Sequence, residues 1–246
     1  MSDQFQDILK EIQDNQTTIT VDTITKKNIK LTPLTLSQQK RIIESVSDET
    51  LAVLFFNNVF YDILKENIID NDIDTFDTID RVNLTLALRM HLQDEVDLDD
   101  NTKIKISEII EKNKDNIIDI KDRFISKDNF TFGVQRPKLG LDNKINKLLL
   151  NKYKNAKMDQ NKLKNLISDL YVYEILKFVS VLRVNDKEIN LHDNFTESIK
   201  LLGQIDTSLL TDVTEYINEV REAESLFTKR VDNTDNIDIT PNLFIL

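Results

Sequence analysis

The sequence predicts an α+β protein, mainly α, whose helices pack on short antiparallel β-hairpins. Three observations point there. Apolar residues recur at helical spacing over long stretches, as in Phe56, Val59, Phe60, Ile63 and Leu64, which share one helical face. Between them lie short alternating runs joined by polar turn residues, such as VLRV, Asn185-Asp186 and EINL, the pattern of a hairpin. Only 3 Gly and 3 Pro occur in 246 residues, too few for an all-β fold full of tight turns.

Taken in order, residues 1–16 have the pattern of a short amphipathic helix through Phe5, Ile8, Leu9 and Ile12. It reads either as a frayed terminal helix or as a helix that binds a partner. Residues 17–32 alternate around a polar break at Lys26-Lys27-Asn28, which predicts a hairpin. The turn Thr32-Pro33-Leu34 follows, then helices over about 36–47 and 49–66, the first capped by Thr35 or Ser37. The segment IIDNDIDTFDTIDRV reads as polar and turn-prone, and VNLTLALRMHL as helix. The runs at 104–112 and 117–125 fit strand or helix equally. FTFGVQRPKL alternates and stops at Pro137, as a strand does.

Helix is expected again from Leu141 to about Lys177, with a break near 152–160. Leu163, Leu166, Ile167, Leu170 and Tyr171 make an apolar stripe in it. After the hairpin at Asn185-Asp186, helices are expected at 194–203 and 206–224, separated by Gly203, with Asp206 or Thr207 as cap. The tail SLFTKRVDNTDNIDITPNLFIL reads as strand, turn and strand, with an apolar end that should pack on the domain or on a partner. The chain divides into 1–92, a hairpin plus helices; 93–137, an acidic insertion with short strands; and 138–246, a helical module with hairpins.

Composition narrows the function. A net charge of -11 repels phosphate backbones, which disfavours general nucleic-acid binding. Cysteine is absent, which removes disulfides, thiolate zinc sites and thiol catalysis together. No apolar run approaches the ~18 residues of a membrane span, and the acidic N-terminal segment is unlike a signal peptide, so a soluble intracellular protein is expected. No GxGxxG, GxxxxGK[ST] or GxSxG pattern occurs, so common nucleotide loops and nucleophile elbows are unsupported.

The sharpest local pattern is DLDDNTKIKISE. Asp97, Asp99, Asn101 and Glu108 fall at the ligand positions of a calcium loop, and Ile104 at its hydrophobic position. Thr102 stands where the loop needs Gly, so a solvated acidic segment is the plainer reading. His91 and His192 have no ligand at metal spacing and read as structural. The lysines between Arg136 and Lys164 read as an exposed helical face. Phe55, Phe56 and Phe60, with Leu243, Phe244, Ile245 and Leu246, are the candidate partner-binding residues. Phe55 and Phe56 stand about 100° apart on a helix and cannot share one narrow face.

The order of these features resembles the baseplate hub and hub-assembly chaperone proteins of T-even-type contractile-tailed phages. Three parts carry the likeness: IKLTPLTLSQQKRII near the start; FTFGVQRPKL before a long helical stretch; and YVYEILKFVSVLRVNDKEI, then ESIKLLGQI, LTDVTEYINEV and an apolar Leu-Phe. Relatives carry CxxC pairs that suggest a small zinc ribbon; this chain has none, and segment 94–103 sits about where the mid-chain pair would fall. The resemblance implies a non-enzymatic protein of virion morphogenesis without cofactor. Its partners would be other baseplate and hub proteins, in a hetero-oligomeric assembly with no nucleic acid and no membrane. It would act in the host cytoplasm during assembly and could remain in the tail baseplate. Two rivals are a permanent structural component of the virion tail and a metal-dependent hydrolase or nuclease built on Asp97–Glu108.

Overall fold

A computed structural model describes residues 3–15, 17–45, 51–99, 102–116, 118–153, 159–229, 237, 239 and 241–244. Helix accounts for 58% and strand for 17%, so the mainly-α α+β class holds. The described residues form two apolar cores.

The first core lies over a small sheet. Strands β1 (Ile19–Val21) and β2 (Ile29–Leu31) form the expected hairpin, and β3 (Ile68–Ile69) adds to β2. Ile19, Val21, Ile29 and Leu31 face inward because alternate residues of a strand share a face. Helix α1 (Asp3–Asp14) precedes the sheet. Helix α2 (Leu36–Glu44) starts at Thr35 with a capping box: Thr35 accepts from the Gln38 amide, and Gln38 accepts back from Thr35 N. Gln38 also donates to Asn67 Oδ1 at 2.6 Å, while Asn67 Nδ2 donates to the Thr32 and Pro33 carbonyls. This buried amide pair ties the proline turn to the end of helix α3 (Ala52–Asn67).

The segment after β3 differs from its reading as a polar loop. It is irregular, but Ile73, Phe76 and Ile79 are buried. Asp80 makes this possible. It is fully buried and accepts from Thr25 N, Thr25 Oγ1 and Asp77 N, so its buried oxygens have donors. Helix α4 (Asp80–Leu92) is buried on all sides from Asn83 to Arg89. Hairpin β4 (Glu95–Asp99) and β5 (Thr102–Lys105) leads into helix α5 (Ile106–Asn113), whose Ile106 and Ile109 join the same core.

The second core lies under a four-stranded antiparallel sheet, order β6-β7-β8-β9: β6 (Arg123–Lys127), β7 (Phe130–Val134), β8 (Val179–Val184) and β9 (Lys187–Asn190). Asp128 and Asn185 turn the two hairpins with φ of 53° and 52°, a left-handed conformation these short polar residues tolerate. Helices α6 (Leu139–Tyr153) and α7 (Gln160–Phe178) connect β7 to β8, and α8 (Phe195–Leu202) and α9 (Thr211–Phe227) follow. Asp206 caps a short 3-10 turn by accepting from Ser208 N at 2.8 Å. The expected strand at SLF is absent: α9 continues through Phe227, which is fully buried. Tertiary burial of that last turn outweighs the weak local strand preference.

Candidate functional site

Helix α3 serves both cores. Phe56 and Phe60 enter the first, and Phe60 meets the Phe244 ring at 5.6 Å between centroids. Leu51, Leu54 and Phe55 pack on the second. The apolar pair therefore faces inward on two sides. Phe56, Phe60, Leu243 and Phe244 are 3%, 0%, 5% and 0% exposed. This corrects their assignment as partner-binding residues: they are spent on the fold's own core. Ile245 and Leu246 lie outside the described residues. The carbonyls beside this apolar end are also engaged. Arg89, itself buried, donates Nε to the Leu243 carbonyl at 2.5 Å, and Gln39 donates to that of Phe244 at 2.9 Å. Burial lowers the pKa of the Arg89 guanidinium.

The acidic pattern takes a different shape from a wrapped loop. Asp97 and Asp99 stand on β4, across from Lys103 and Thr102, with a bulge between them. Glu108 is exposed in the first turn of α5, and Asn101 lies outside the described residues. Among the described residues no group of three or more His, Asp or Glu is placed to hold a metal ion. His91 is exposed at the end of α4. His192 places Nε2 2.9 Å from the Leu176 carbonyl, and burial holds its pKa below the ordinary value.

Where the two cores meet, a cleft of about 470 Å³ is lined by ionised side chains. Asp142, 4% exposed, sits between Arg81 Nη2 and Lys177 Nζ, the latter at 2.7 Å. Lys177 also reaches Glu174 at 3.2 Å, and Glu174 reaches Arg221 at 3.1 Å. Despite burial, the two cations hold the Asp142 carboxyl far below the usual range, and Lys177 is correspondingly raised. Glu224 accepts from Thr78 Oγ1 at 3.1 Å, and burial pushes its pKa up. Arg81, Asp142, Lys177, Glu174 and Arg221 satisfy one another and so act as an electrostatic clamp between α4, α6, α7 and α9, while Glu224 stays outside these ion pairs. Sequence reasoning missed it because carboxylates are too common in this chain for pairing to be visible.

Exposed apolar side chains occur on several elements, among them α1, α2, α3 and α7. Leu36 and Ile43 on α2 are 83% and 41% exposed, and Val53 at the start of α3 is 70% exposed. On α7, Leu166 turns inward but Leu163, Ile167, Leu170 and Tyr171 remain outside. Leu170 and Tyr171 border a groove of about 270 Å³ against Ile217 and Asn218 of α9. The α7 stripe was visible in the sequence; its outward direction was not.

The fold and these surfaces define a mainly-α α+β protein with an internal charge clamp and uncovered apolar helix faces. No family model, no curated protein and no solved structure matches the chain.

Proposed function

We propose that the protein acts in assembly of the baseplate hub of a contractile phage tail, as hub subunit or assembly chaperone, through protein–protein contacts. The observation that carries this reading is the exposed apolar surface on α2 and at the start of α3: Leu36, Ile43 and Val53. Exposed apolar patches favour partners that cover them. The resemblance in IKLTPLTLSQQKRII, FTFGVQRPKL and the C-terminal module supports the tail context. The interaction residues are thus the outer positions of α2 and α3 in place of the buried phenylalanines.

Quantitative mass spectrometry of purified particles and of infected-cell lysates tests the reading. Stoichiometric presence in particles makes the protein a hub component; presence in lysate alone makes it a chaperone. Absence from both overturns the tail reading.

A further inference from the structure

We propose that α1 of one copy seats on the α7 stripe of a second copy, so that the protein self-associates. The inference stands apart from the hub reading and rests on two faces of this chain that fit each other.

The first face is on α1. Phe5, Ile8, Leu9 and Ile12 recur at helical spacing, and Ile8 and Ile12 are 48% and 56% exposed. The second is Leu163, Ile167, Leu170 and Tyr171 on α7, 42%, 60%, 38% and 55% exposed. Their lengths agree. At 1.5 Å per residue the α1 face runs about 10 Å and the α7 stripe about 12 Å.

Charge gives the pairing its direction. Helix α1 carries Asp3, Asp7, Glu11 and Asp14 against Lys10 alone. The first half of α7 carries Lys162 and Lys164. Neither has an ion-pair partner among the described residues, whereas Lys152 beside them is held by Asp169 at 2.5 Å. An acidic amphipathic helix thus meets an apolar stripe with two available cations. Stripe-to-stripe pairing of two α7 helices would instead bring like charges together. Two copies that exchange α1 make the contact twice, which closes the assembly as a dimer.

Because the chain has no Cys, introduced cysteines report on this contact alone. Two full-length variants, Ile12→Cys and Ile167→Cys, are purified separately, mixed and oxidised. A disulfide-linked pair containing one of each is expected, formed in greater yield than either variant forms with itself. Light scattering of the unmodified chain should give twice the 28.7 kDa of one copy. It should fall to one copy for Ile8→Asp/Ile12→Asp, with circular dichroism unchanged. A single-copy mass up to 100 μM, or no mixed pair, overturns the proposal. So does a double Ile12→Cys/Ile167→Cys variant that closes only within one chain, because α1 then covers its own α7.

Discussion

Phe55 and Phe56 are neighbours in sequence and belong to different cores: Phe56 packs with Phe60 at 5.5 Å between ring centroids, and Phe55 lies against the second core. The 100° step of the helix places consecutive residues on different faces, and here each face has its own occupant.

Phe56→Ala should therefore cost about 3–5 kcal/mol, the range for emptying a buried aromatic site. Phe55→Ala should cost clearly less because its ring is only half-buried. Urea unfolding of both variants measures the difference. Equal losses would mean that the two positions are equally enclosed.

Removing the charge at the clamp leaves two cations facing each other. Asp142→Asn should cost about 3–5 kcal/mol at neutral pH, as breaking a buried ion pair does. The carboxyl is depressed in the folded state, so its contribution is complete above its unfolded pKa of about 3.9 and is lost as pH falls through the folded value. Lys177 is raised, so its contribution is complete below about 10.4 and fades as pH rises through the folded value. The stability gap between the parent and Asp142→Asn should be flat from about pH 5 to 10 and shrink below pH 4. Denaturant midpoints across that range give the profile.

Glu224 has the opposite sign. Burial raises it, so its protonated form favours the fold below the unfolded pKa of about 4.3, and this advantage is lost as pH rises through the folded value. Glu224→Gln keeps an oxygen for Thr78 and removes the buried charge. Its Tm should exceed that of the parent at pH 8 and match it at pH 4. A lower Tm at pH 8 would show that the charge itself is needed.

Gly140 is in the first turn of α6, where Ala is normally better by ~1 kcal/mol. A Cβ there would stand 2.7 Å from the Asp74 carboxylate and 2.8 Å from its Cβ, and Asp74 accepts the Tyr61 hydroxyl. Gly140→Ala should therefore destabilise by about 1–3 kcal/mol, as overpacking does. Thermal unfolding would show a lower Tm, and a rise would mean that Asp74 moves freely.

Much of the fold was legible locally. The hairpin at Asn185-Asp186 could be read because its turn residues and alternation agree. The start of α2 could be read to within Thr35 or Ser37 because side-chain chemistry marks a helix start locally; the structure selects Thr35. What escaped depends on distant partners. The segment around Phe76 looked polar because Asp77 and Asp80 gave no sign of being buried; Arg136, Lys138 and Thr25 supply their partners from far along the chain. The SLF run looked like a strand because nothing local reveals that Phe227 completes a helix. The candidate site was half legible: periodicity located the α7 stripe, but an apolar stripe looks the same in sequence whether it faces a core or solvent.

The first core holds Ile19 and is closed by Phe244, whose carbonyl meets Gln39 across 205 positions of chain. A ribosome delivers those partners in sequence order. The side of Phe60 that meets Phe244 must therefore stay open until almost all of the later chain has emerged. Translation pauses before Leu243 should lengthen that exposed interval, so the folding yield in cells should depend on the speed at which the ribosome reads the stretch after α9.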